Sequence, residues 1–153
     1  MKTIRLLISV FIILLLISGI TAFPIKWEMQ FLLSHRHLFP STLSAWIEQV
    51  GNVINETPDI MFYGTDWLAF GHIVIALFFI PIYINPVHYK LNIIIGMIAC
   101  IAVFPLAFIC GPIRGIPFLH QLIDCSFGFF GFVLLYNIYQ KIKKLEYASS
   151  AKK

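Results

Sequence analysis

The stretch LNIIIGMIACIAVFPLAFI, Leu91 to Ile109, is 19 residues without a formal charge. At roughly 1.5 Å per helical residue it reaches across the ~30 Å hydrocarbon layer of a bilayer, and its only strongly polar member is Asn92. Three further stretches are long and largely apolar, the last of them carrying Asp124. Leu6 to Phe23 follows Lys2 and Arg5 and stops at Pro24. Trp67 to Ile84 closes at Asn85-Pro86, and the last runs from Pro117, well placed in a first helical turn, to Tyr139 ahead of Lys141, Lys143 and Lys144. The expected fold is therefore an all-α integral membrane protein, a four-transmembrane-helix bundle in one membrane domain covering residues 1–153.

Composition supports this class. Of the 153 residues, 59% are hydrophobic and 12% charged, against roughly 45–50% and 25% in soluble domains. Mean hydropathy is +0.88. With 16% aromatic residues the chain is not a disordered one, and no Pro/Gly/Ser linker divides it. The first stretch also has the form of a signal peptide, with a basic start, an apolar run and an Ala22 cleavage position. Retention gives four spans; cleavage gives three and an outward N-terminus.

The basic residues set the orientation. Lys2, Arg5, Lys90, Lys141, Lys143, Lys144, Lys152 and Lys153, eight of the eleven, fall on one side with the single acid Glu146. That side is expected to be cytoplasmic, with both termini there when the first span is kept, as in a bacterial inner membrane. The net charge of +4 is then a topological signal. No basic stripe with interleaved aromatics marks a nucleic-acid surface, and the partners expected are membrane lipid and other membrane proteins.

Residues 25–66 are too polar to span. Leu43, Trp46, Ile47, Val50, Val53 and Ile54 recur at helical spacing after Pro40-Ser41-Thr42, which predicts an outer amphipathic helix with hydroxyl caps, and Trp27 and Trp46 are candidate interfacial anchors. Asn55-Glu56-Thr57 is a glycosylation sequon, relevant only in a eukaryotic secretory pathway.

This topology brings Asp66, His72, Cys110, Arg114, His120, Gln121, Asp124 and Cys125 to the outer ends of the spans. Each has a structural role to weigh against a chemical one. Asp66 after Thr65 is expected to cap a helix start, where a carboxylate meets free N–H groups. A lone His72 is an ordinary hydrogen-bonded bundle histidine or a catalyst. Four residues separate His120 from Asp124, which places them on one helical face, and Asp124 lies too deep to cap, so a partner is expected, with Arg114 the candidate.

Arg114, His120 and Asp124 spell Arg-x5-His-x3-Asp, which resembles the third motif of the type 2 phosphatidic acid phosphatases, and Phe70-Gly71-His72 is similar to their Pro-Ser-Gly-His motif. The resemblance covers Phe70 to Asp124. It implies a membrane lipid-phosphate phosphatase in which Arg114 binds the anion, His120 attacks phosphorus, Asp124 supports His120, and His72 protonates the leaving oxygen. Ile113 and Phe70 stand where that family has serine, and the Lys-x6-Arg-Pro motif has no counterpart in residues 25–66.

Cys110 and Cys125, near the outer ends of consecutive spans, form a disulfide or remain two lipid-shielded thiols; Cys100 is mid-span. His72, His120 and Asp124 are zinc-ligand types without a zinc signature, and His72 with His120 makes no haem motif, so no metal or cofactor is expected. Gly128 and Gly131 are expected to let the last span approach a neighbour closely, and Pro81 and Pro105 to kink their spans. The expected function is a structural or binding one at a polar outer cluster. A lipid-phosphate phosphatase is the alternative, and a transporter or proton-relay component using Asp124 the second alternative.

Overall fold

The computed structural model describes residues 1–150, so Lys152 and Lys153 lie outside the described residues, as does the Ser149 side chain. Among the described residues all regular structure is helical: α1 (Lys2–Thr21), α2 (Ile25–Ser34), α3 (Ser41–Glu56), α4 (Tyr63–Leu77), α5 (Ile80–Ile84), α6 (Lys90–Ile113) and α7 (Phe118–Ser150), with 3-10 turns at Arg36–Leu38 and Asp59–Phe62. Four segments are long and apolar enough to cross a membrane: Lys2–Thr21, Asp59–Ile84, Lys90–Ile113 and Phe118–Ala148.

The second of these is broken. Pro81 lacks an N–H and its ring clashes with the carbonyl four residues back, at Leu77, which is where α4 ends. Phe78 and Phe79 turn, and α5 restarts with Pro81 in its first turn. The Phe78 carbonyl, freed from the helical ladder, accepts a hydrogen bond from Asn92 Nδ2 at 2.8 Å. The one polar side chain of the third apolar stretch thus braces the break in the second. α6, by contrast, runs through Pro105 as one helix.

The long helices pack as two antiparallel pairs, α1 with α4 and α5, and α6 with α7, joined where α1 meets α7. Glycines set the close approaches. A Cβ on Gly19 would stand 2.8 Å from the Ala69 carbonyl oxygen of α4, and one on Gly128 would stand 2.6 Å from the Cys100 carbonyl oxygen of α6. Arg5 Nε donates to the Tyr83 carbonyl at 3.2 Å, and Lys90 Nζ reaches both Glu146 carboxylate oxygens at 2.7 and 2.8 Å. The start of α1, the end of α5, the start of α6 and the distal part of α7 therefore share one basic end. Ile4, Ile8, Phe11, Phe79, Ile82, Ile93, Leu135, Ile138 and Ile142 fill its core.

At the other end α2 and α3 form a helical hairpin with its own small core of Met29, Leu43, Ile47 and Ile54. α2 was not anticipated from the sequence, although Ile25, Met29, Leu32 and Leu33 have helical spacing. α3 begins after Pro40, but neither Ser41 nor Thr42 makes a capping bond, because the residue in the cap position is Pro40 itself. Gly51, with Leu33 pressed against it, takes the inward place on α3, and Val53 faces out. α7 overruns its expected end at Tyr139. Its 33 residues span roughly 50 Å, more than the ~30 Å thickness of a bilayer's hydrocarbon layer.

Candidate functional site

The loop between α6 and α7 positions the polar residues. α6 ends at Ile113, Arg114 follows as its C-cap, and Gly115, the single positive-φ residue among those described (φ 69°), turns the chain toward Pro117 and α7. The Ile116 N–H returns to the Gly111 carbonyl at 2.9 Å. Gln121, buried, lies against Gly111 and donates from Nε2 to the Ile116 carbonyl at 2.7 Å. A side chain at residue 111 would displace it, so the glycine and the glutamine together fix the loop. The sequence signalled Gln121 only as one more polar residue; its bracing role depends on a contact across helices.

Beside this brace a cleft of about 270 Å³ opens between α6 and α7. Val103, Leu106, Ala107 and Cys110 make an apolar wall, and Arg114 and Asp124 both line it. The ion pair expected between Arg114 and Asp124 is not formed. Asp124 is half-exposed in the cleft instead of sealed inside the bundle. The group near it is His120, with Nε2 3.7 Å from Asp124 Oδ1, an ion pair when the imidazole is protonated but too long for a hydrogen bond. The other face of His120 is occupied by Trp46 of α3, whose ring centroid is 4.5 Å away with planes at 43°. Trp46 thereby ties the α2–α3 hairpin to α7.

His72 belongs elsewhere. It sits on α4 in the seam with α1, its Cβ 3.0 Å from the point where a Gly19 side chain would begin. Its Nδ1–H donates to the Leu68 carbonyl of its own helix at 3.0 Å. Neither His72 nor His120 lines the cleft that holds Arg114 and Asp124. The four residues implied by the phosphatase resemblance are thus divided between the two helix pairs.

Asp66 stands in the first turn of α4 but makes no capping bond. The helix starts at Tyr63, continuous with the Asp59–Phe62 turn, so Asp66 is one turn inside the start instead of at it. It lines a second cleft of about 300 Å³ with Phe23, Tyr63, Trp67 and Phe70. The Cys110–Cys125 disulfide is not formed: all three cysteines are free, Cys125 buried and Cys110 on the exposed side of α6. Among the described residues no group of three or more His, Cys, Asp or Glu side chains converges as metal ligands would.

Compared with protein-family models, with curated proteins and with solved structures, the chain matches none.

Proposed function

We propose that the chain is an integral membrane protein whose role is structural or binding, exercised through the polar end of a four-span bundle. One observation carries the membrane assignment. Only 17–22% of each apolar window is buried within the protein, so the greater part of four long apolar helices faces outward. In water each Leu or Phe so exposed forgoes roughly 1.5–3 kcal/mol; in hydrocarbon the same surface is the favourable one. The gathering of Arg5, Lys90 and Lys141 at one end, with Asp66 and Asp124 toward the other, supports a cytoplasmic basic end, and the packing of α1 between α4 and α7 supports four spans.

The separation of His72 from the Arg114–Asp124 cleft favours binding over catalysis, since a histidine nucleophile needs its proton donor on the same reacting phosphate. Two measurements test the proposal. The protein is expected to stay in membranes through alkaline carbonate extraction. In a cysteine-free background, Ser44→Cys should be labelled from outside and Ser149→Cys from the cytoplasm; outward labelling of Ser149→Cys overturns the orientation. A lipid-phosphate phosphatase is the alternative, favoured by the His120–Asp124 pair and by Arg114 on the same cleft as Asp124. Folded protein is expected to release no inorganic phosphate from dispersed lipid phosphates. Release that disappears in His120→Asn would replace the binding assignment with that chemistry.

A further inference from the structure

Tyr63, Trp67 and Phe70 recur at i, i+4 and i+7, which lines them along one face of α4. Tyr63 and Trp67 meet edge to face (centroids 6.0 Å, 84°), and so do Trp67 and Phe70 (6.1 Å, 87°). Phe23, just past the end of α1, supplies a fourth ring to the same cleft of about 300 Å³, and Asp66 supplies a carboxylate. An edge-to-face contact covers one side of a ring at most, so the opposite π face remains open to a guest. All four aromatic side chains are more than 40% exposed, so the cleft they line is open to a guest.

Asp66 has no ion-pair or hydrogen-bond partner among the described residues. Lys26, the cation of the adjoining helix α2, is held by Asp59 at 2.5 Å and lies over the Phe62 ring. Asp66 also more than cancels the half positive charge of the α4 start, leaving the cleft net negative. Aromatic faces around one free carboxylate are the environment in which an alkylated cation is stabilised, by the ring quadrupoles and by the ion pair. The cleft discriminates against other cations. A primary ammonium or a hydrated metal ion carries several donors or water ligands and meets one carboxylate and the Tyr63 hydroxyl, so burying it strands polar groups. A quaternary ammonium has no donors to strand. The volume lies at the small end of the roughly 300–1,000 Å³ typical of ligand sites.

We infer that Phe23, Tyr63, Trp67, Phe70 and Asp66 form a binding site for a quaternary ammonium group of the choline type, carried by a lipid headgroup or by a free small molecule. The site rests on local geometry and stands apart from the Arg114 cleft.

Saturation-transfer NMR on the full chain in a maltoside detergent, which carries no choline, tests it. Transfer to the methyl protons of choline is expected. Dimethylbutanol, the neutral isostere with carbon in place of nitrogen, and ethanolamine, which keeps the charge but lacks the methyl groups, should each bind about tenfold more weakly. Trp67→Leu and Asp66→Asn should each weaken choline about tenfold, and Trp67→Phe, which retains a ring, by less. Water-soluble short-chain phosphatidylcholine distinguishes the sources: displacement of choline at lower concentration than choline itself requires identifies a lipid headgroup, and equal displacement a free ligand. Absence of transfer to choline with folded protein, equal binding of the neutral isostere, or unchanged binding in folded Asp66→Asn overturns the inference and leaves the rings as interfacial anchors. Should the variants not fold, the ligand series on the unaltered chain decides.

Discussion

Replacing Gly128 by alanine tests the α6–α7 pairing on which the Arg114–Asp124 cleft depends. The new Cβ would lie 2.6 Å from the Cys100 carbonyl oxygen and 3.2 Å from Val103 Cβ. Carbon–oxygen contacts between helices settle at about 3.3 Å or more, so α6 and α7 must part by roughly 0.7 Å, and backbone cannot rotate away as a side chain does. The parting loosens the neighbouring approaches at Gly96 and Gly111. Such overpacking costs about 1–3 kcal/mol, while alanine regains up to about 1 kcal/mol in helix propensity. Gly71→Ala is the matched control. Gly71 is interior to α4 and an added Cβ meets nothing within 4 Å, so it collects the propensity gain alone. Because that gain is common to both variants, their difference isolates the clash at about 1–3 kcal/mol. At about 2–4 °C per kcal/mol for a chain of this size, helix melting by circular dichroism in one detergent should place Gly128→Ala roughly 2–12 °C below Gly71→Ala, with the unaltered protein between them or near the former. A Gly128→Ala protein melting at or above Gly71→Ala would refute the close α6–α7 approach.

Asp124→Asn should change stability by no more than about 0.5 kcal/mol, because the half-exposed carboxylate has only His120 near it; a loss above about 2 kcal/mol in detergent melting would reveal a sealed partner. Lys90 and Glu146, each about one-third exposed and joined by two hydrogen bonds, should show a favourable coupling in a Lys90→Ala/Glu146→Gln double-mutant cycle that falls with added salt. No coupling at low salt would show that α7 is not anchored there. Burial in the α2–α3 hairpin raises the Glu28 carboxyl above its ordinary value. The folded chain therefore takes up this proton more readily than the unfolded one, and the resulting stabilisation is present at acid pH and lost as pH rises through the folded value. Glu28→Gln should accordingly melt higher than the unaltered protein at neutral pH, with the gap closing as pH falls; a gap that widens on acidification contradicts the sign.

The long apolar helices were legible because bilayer-length runs need no tertiary information. Their boundaries moved for local reasons: Tyr63 continues a preceding turn, so α4 starts before Trp67, and nothing in Gln140 to Ser150 stops a helix, so α7 runs on. The proline effects were half legible. Pro81 breaks its span because the Phe78 carbonyl has Asn92 to satisfy it, a contact between helices that no periodicity reveals. α2 was missed because Trp27 and Phe31 add exposed apolar residues off its Ile25, Met29, Leu32 and Leu33 face, which blurs the period in a helix of only 10 residues. At the site, His120 and Asp124 were readable as i, i+4 neighbours, and Gly128 as a point of close approach. The Arg114–Asp124 pair failed because depth along a helix was taken for burial: a residue six positions past the helix start can still face an open cleft.

The division of the polar residues follows from the way the bundle is held together. Its joint core, from Ile4 to Ile142, lies at the basic end, where α1, α5, α6 and α7 all contribute. Toward the other end the close approaches run within the pairs, Gly19 on Ala69 and His72, Gly111 on Gln121. Each pair there carries its own cleft, Arg114 and Asp124 on α6–α7, Asp66 with its rings beside the end of α1 and the start of α4. Convergence of outer ends in a topology diagram therefore does not make one site. The bundle is packed tightly at its basic end and opens at the other into two separate polar clefts, and the α2–α3 hairpin meets α7 there through Trp46 on His120.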